Sequence, residues 1–245
     1  MNVTPHWLHV LSLLFLALGF GCALFIAVDV LRHPQKMWIM DVVWPVTALF
    51  GTVASLWLYW RYGRLSAKDV ESDAKERGEQ PPAKQLPFPV MVAKGASHCG
   101  SGCCIGDIIA EWLAFAVPAV ATWFGWHSLF SEKIFAVWVL DFVLAFLIGV
   151  AFQYFTIAPM RHLGFLQGVW AAVKADTLSL TAWQVGMYGF MAIAYFWIFG
   201  TLLHTKLEVA SPEFWFMMQI AMLCGFATSY PVNWWLLKAG LKEKM

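Results

Sequence analysis

Six long apolar runs, separated by short polar stretches, set the pattern of this chain. They extend from about Trp7 to Leu31, Trp38 to Trp60, Ile105 to Trp126, Ile134 to Ile157, Leu178 to Leu203 and Phe214 to Leu237. Each is close to the ~20 residues that a helix needs to cross the hydrocarbon core of a bilayer. None alternates with a period of two, which favours helices over the strands of a membrane barrel. The pattern predicts an all-α polytopic membrane protein with about six transmembrane helices. A further apolar stretch, Ala158 to Thr177, carries Arg161, His162, Lys174 and Asp176. Its Phe165, Leu166, Val169, Trp170 and Val173 recur at three- and four-residue steps, as a cytoplasmic interfacial helix requires. A re-entrant segment is the alternative for this stretch.

Composition agrees with the pattern. The 245 residues are 60% hydrophobic and 13% charged, whereas a soluble domain carries roughly 45–50% apolar and about 25% charged residues. Sixteen Lys and Arg against 15 Asp and Glu leave a net charge of +1, so no large basic face is available for nucleic acid. The lipid bilayer is the expected surrounding, with Trp7, Trp38, Trp57, Trp60, Trp112, Trp126, Trp234 and Trp235 as interfacial anchors. The first run is too long for the core of a cleavable signal peptide and is expected to be the first transmembrane helix. Seven basic residues lie between Arg61 and Lys94. Excess positive charge marks cytoplasmic loops, which predicts a multi-pass protein of the cell (cytoplasmic or inner) membrane with both termini in the cytoplasm. The chain then divides into an N-terminal two-helix hairpin (1–61), a charged, proline-rich cytoplasmic linker (62–95) and a four-helix core with a cysteine-rich loop (96–245).

The candidate chemistry concentrates where that core begins. The segment Ser97-His98-Cys99-Gly100-Ser101-Gly102-Cys103-Cys104-Ile105-Gly106-Asp107 is followed by Glu111. Thiolates and imidazole suit copper(I) or zinc. His98, Cys99, Cys103, Cys104, Asp107 and Glu111 are therefore the candidate metal ligands. If a helix begins near Cys103, then Cys103, Asp107 and Glu111 fall at i, i+4 and i+8 on one face. The ordinary alternative is that the cysteines are small buried hydrophobes and the glycines allow close helix packing. A second polar set, Asp141, Gln153, Arg161, His162, Lys174 and Asp176, is a candidate proton or ion path, because ionisable groups at membrane depth are expensive. Against it, Arg161 and Lys174 suit headgroup anchoring, and Asp176 could be an N-cap. His6 and His9 are weaker ligand candidates, and Met217, Met218, Met222 and Cys224 read more simply as packing. No nucleotide-cofactor motif is present.

The His98-Cys99-Gly100-Ser101-Gly102-Cys103-Cys104 segment opening a membrane helix resembles a group of prokaryotic integral membrane proteins catalogued as a domain of unknown function. Ala158-Pro159-Met160-Arg161 and the stretch from Lys174 to Gln184 resemble the same group, and the likeness covers approximately residues 90–240. It implies that 98–111 and 158–184 form one functional unit and brings no activity with it. The residues themselves point to a membrane protein that binds, and in one reading transports, a soft or borderline metal ion, copper or zinc. The alternatives are a membrane-embedded thiol- or metal-dependent oxidoreductase and an accessory subunit of a larger membrane complex. A homo-oligomer is compatible with each.

Overall fold

The structure is a computed structural model that describes residues 4–242. The described chain is helical, with no β-strand: α1 (His6–Arg32), α2 (Ile39–Leu58, extended by tighter and wider turns to Ser66), α3 (Lys68–Glu76), α4 (Phe88–Ala116), α5 (Ala119–Trp123), α6 (Lys133–Arg161), α7 (Phe165–Ala192, continued by the π-helical Ile193–Leu202) and α8 (Pro212–Lys238). Five segments, His6–Arg32, Ile39–Ser66, Phe88–Ala116, Lys133–Arg161 and Phe165–Leu202, are long and apolar enough to cross a membrane. α8 matches α1 in length, at 27 residues each. Gln219, Ser229 and Asn233 make it less apolar.

Helices α4, α6, α7 and α8 form the core, with α1 and α2 against one side. α4 is the innermost: 61% of its most apolar window is buried, against 22% in α1. Small residues explain how it fits there. A Cβ added at Gly106 would stand 2.6 Å from the Ala145 backbone nitrogen, and one at Gly102 would stand 3.1 Å from the Gly149 Cα. Gly102 and Gly106 on α4 thus face Ala145 and Gly149 on α6, small residues four apart on both helices. That spacing lets membrane helices approach until their backbones touch. The indole of Trp183 on α7 fills the room left by Gly100 and Gly225.

Cross-helix contacts define two ends of the bundle. At one end His9 Nδ1 meets Glu213 Oε1 at 2.8 Å, and Lys133 Nζ donates to the Ala114 carbonyl at 2.8 Å. At the other, Lys242 Nζ donates to the Gly95 carbonyl at 3.1 Å and Lys94 Nζ to Ser66 Oγ at 2.9 Å. α1 therefore starts at the Glu213 end, and α8 finishes at the Lys242 end. The two ends of the described chain thus lie at opposite ends of the bundle, and the termini themselves, expected together in the cytoplasm, lie outside the described residues.

The cause lies in α2, which does not run straight as the sequence pattern predicts. The Trp44 and Tyr59 ring centroids are 5.5 Å apart, whereas 15 residues of continuous helix rise roughly 22 Å. Ser55 Oγ also donates to the Thr47 carbonyl at 3.2 Å. The chain reverses at Thr52, whose φ of 45° and ψ of −125° leave the helical region. A β-branched residue at positive φ is strained. The reversal is held from outside: Gln219 Nε2 donates to the Leu49 carbonyl at 2.6 Å and to the Phe15 carbonyl at 3.3 Å. Residues 39–66 are a helical hairpin whose tip lies within the bundle and whose two feet stand at the Lys242 end.

Three further expectations change. The cysteine-rich segment is not a loop at a helix start but lies mid-helix in α4, which begins at Phe88 and ends at Ala116, before the break at Val117 and Pro118. The third apolar run therefore covers only the later turns of α4 and continues across that break through α5. The 158–177 stretch is neither an interfacial nor a re-entrant helix of its own. It comprises the last turn of α6, the αL residue His162 (φ 53°) that caps it, and the first turns of α7, which runs on without interruption.

Candidate functional site

The core encloses a string of polar side chains running between the two ends. At the Lys242 end, Lys242 Nζ lies 2.7 Å from Asn233 Oδ1 and 3.5 Å from Ser179 Oγ, and Asn233 Nδ2 donates to Ser179 Oγ at 2.7 Å. The Lys242 ammonium thus enters the bundle, and the residue is only 3% exposed. One helical step further in, Cys99 Sγ on α4 donates to Asp176 Oδ1 on α7 at 2.8 Å, with both groups buried. Asp176 is not an N-cap but lies 11 residues into α7. Its second oxygen packs on Gly149, where any Cβ would overlap it, and Gln153 lies beside it. Asp176 Oδ2 and both polar atoms of Gln153 have no hydrogen-bond partner.

His98 sits on the adjacent face of α4. Its Nε2 is 3.1 Å from Thr156 Oγ1, and that hydroxyl donates to the Phe152 carbonyl at 3.1 Å. The hydroxyl proton being used, Nε2 must be the donor, which leaves Nδ1 of the neutral ring as a buried lone pair with no partner. Cys103, one turn beyond Cys99, interacts electrostatically with Cys99, Asp107 and Asp176. All five cysteines are free thiols.

Toward the Glu213 end the string becomes acidic. Asp107 and Glu111 on α4 and Asp141 on α6 are 1%, 4% and 0% exposed and interact electrostatically with one another. Gln184 lies beside Asp107, yet neither oxygen of Asp107 or Asp141 accepts a hydrogen bond. The charge of Lys133 acts on Glu111. An ionised carboxylate in such surroundings costs several kcal/mol, so each of these groups needs a proton or a cation. Asp107 and Cys104 also line a cavity of about 270 Å³ bounded by Leu49 and Phe50 at the hairpin tip, Trp112 and Trp215.

The candidate residues thus separate. Cys99, Cys103, Cys104, Asp107 and Glu111 share the interior with Asp141, Gln153 and Asp176, whereas His98 turns toward α6. Arg161, His162 and Lys174 are exposed on the outside, and Lys174 lies over the Trp170 ring at 4.9 Å. His9 is held by Glu213 at the far end and does not join the cysteines. Met217, Met218 and Met222 do share a buried cluster with Cys99, Cys103 and Cys104. Ser179 and Gln184 fall in the 158–184 stretch that the resemblance groups with 98–111, whereas Lys242 and Asn233 have no signal in the sequence beyond being polar residues in or beside an apolar run. Among the described residues, no three His, Cys, Asp and Glu side chains converge as a ready-made metal-ligand set.

No curated protein and no solved structure matches the chain. Residues 90–242, which hold the entire polar string, match the family described as Domain of unknown function (DUF4396). The chain belongs to that family.

Proposed function

We propose that this protein carries a soft or borderline metal ion, copper or zinc, across the cell membrane, taking it up at Cys99 and Asp176 and handing it along the Asp107, Glu111 and Asp141 carboxylates. The observation that carries the reading is the buried Cys99–Asp176 contact at 2.8 Å, in line with the Asp107 and Asp141 carboxylates, whose oxygens lack hydrogen-bond partners. A thiol can ligate a metal only after losing its proton, so an ion entering here displaces the proton that Cys99 and Asp176 share. Cys103, one turn along α4 from Cys99, supplies a further soft donor nearby. Lys242 supports a place for positive charge at this level, since its ammonium already rests on the Gly95 carbonyl and Asn233.

The same reading sets the orientation. With the hairpin folded back, α1, α4, α6, α7 and α8 are the crossing helices. Only Lys133 and Lys206 then fall toward the Glu213 end, and every other described Lys and Arg lies toward the Lys242 end. This charge bias is steeper than six straight spans allow and supports a cytoplasmic position for the Lys242 end. Elemental analysis of the purified full chain tests the binding step. About one equivalent of copper or zinc, lost in Cys99→Ser and Asp176→Asn, agrees with the proposal. Substoichiometric metal that does not change among the variants contradicts it.

A further inference from the structure

A second cavity, of about 370 Å³, lies at the Lys242 end between the hairpin feet, the segment 81–85 and the start of α4, apart from the polar string. Gln35, Lys36, Glu71, Lys84, Lys94 and Met160 line it. Lys94 forms part of its floor. It is 1% exposed, its ammonium donates to Ser66 Oγ, and no carboxylate among the described residues lies within ion-pair distance. Gln35, also 1% exposed, has no partner for either side-chain polar atom, although its backbone N–H donates to Asp41 Oδ1 at 2.7 Å. Glu71 does not neutralise the cavity, because it is already shared by Lys36 at 2.6 Å and Lys75 at 3.1 Å.

A buried ammonium and an unpartnered amide beside a positively charged opening are what an anionic oxygen ligand would satisfy. The rim indicates where the ligand comes from. Met160, on the last turn of α6, is 45% exposed, and Lys36 and Lys84 stand exposed around the same opening. An apolar side chain and ammonium groups at one bundle end suit the headgroup level of a membrane. We propose that this cavity binds the phosphate of an anionic phospholipid from the leaflet at the Lys242 end, with Lys94 and the Gln35 amide holding the phosphate oxygens and Lys84 closing over them. The lipid would fasten the hairpin feet to α4 and α6. This site stands independently of the metal-ion proposal.

The test uses the full chain in nanodiscs of phosphatidylcholine doped with phosphatidylglycerol, with retained lipid read by native mass spectrometry. The wild type should keep phosphatidylglycerol in preference to phosphatidylcholine. Lys94→Met, similar in length but uncharged, should cut that preference by about fivefold, the effect of one lysine on an anionic lipid. Should Lys94→Met fail to fold, the exposed Lys84→Ala carries the test, with a smaller loss in the same direction. Equal retention of the two lipids by the wild type overturns the proposal, as does an unchanged preference in a folded Lys94→Met. Thermal stabilisation by inorganic phosphate in phosphatidylcholine alone, without any preference for phosphatidylglycerol, overturns the lipid assignment in favour of a soluble phosphate.

Discussion

Cys99 on α4 and Asp176 on α7, 77 positions apart in the chain, meet as thiol donor and carboxylate acceptor at 2.8 Å in the interior of the bundle. Around them lie Gln153, the Gly149 backbone and the Lys242 ammonium, so the contact links all four core helices to the end of the described chain. A hydrogen bond to a charged group contributes roughly 1.5–3 kcal/mol, and leaving its partner buried and unsatisfied costs at least as much. Cys99→Ala is expected to lower the stability of the protein by about 2 kcal/mol in a denaturant titration in detergent. A double change with Asp176→Asn should cost less than the two single changes added together, as direct partners do.

Gly149 carries the second prediction. Any Cβ there overlaps the Asp176 carboxylate, and a Cβ at Gly106 presses on the Ala145 backbone. Overpacking of this kind costs typically 1–3 kcal/mol. Gly149→Ala should therefore both destabilise the bundle and weaken metal binding, whereas Gly106→Ala should chiefly destabilise it. Thermal denaturation and elemental analysis of the same samples separate the two effects.

The reversal at Thr52 predicts a labelling pattern. Cysteines introduced singly at Arg32 and Arg77 should react with a membrane-impermeant maleimide from the same side of the membrane, and one at His9 from the opposite side. A straight second helix instead places positions 32 and 77 on opposite sides.

Lys242 supplies a fourth. Its ammonium occupies the polar centre next to Asp176 and Cys99, where it repels any other cation. Lys242→Gln keeps hydrogen-bonding capacity and removes the charge. It should lower the metal concentration needed for half-saturation by about fivefold, the equivalent of ~1 kcal/mol. An unchanged or weakened affinity would separate Lys242 from the site.

Acid should loosen the Lys242 end first. Asp69 is held below the usual aspartate value chiefly by its hydrogen bond to His33. Burial alone would raise Glu71, but its contacts with Lys36 and Lys75 outweigh this and hold it low. Both folded values are depressed, so this stabilisation is full above the ordinary carboxylate values of 3.8 and 4.5 and fades as pH falls through the lower folded ones. Each exposed pair contributes at most about 1 kcal/mol. Lys36→Met should flatten the acid limb of the stability curve, measured by proteolysis of the segment 67–87.

The long apolar runs made the helical membrane class legible, and the common face of Cys103, Asp107 and Glu111 followed from their four-residue spacing. The start of α4 was not legible, because Lys94, Ser97 and His98 have the polarity of a loop, and the partners of Lys94 and His98, Ser66 and Thr156, come from distant segments of the chain. The α2 reversal left no mark either. The run from Ile39 to Leu58 carries no charge after Asp41, and the Leu49 carbonyl near the reversal is taken up by Gln219, 170 positions away. Asp176 read as a cap because the long uncharged run begins only after it. In the fold, the preceding turns of α7 are helical too, and the group that Asp176 serves lies on another helix.

Ion uptake into proteoliposomes tests the central claim most directly. Vesicles carrying the wild-type chain should accumulate copper(I) or zinc faster than empty vesicles, with a matching movement of protons, and Cys99→Ser and Asp107→Asn should each reduce the rate at least tenfold, the effect of ~1.4 kcal/mol. Uptake by the wild type no faster than by empty vesicles, or unaltered by both substitutions, would contradict the account.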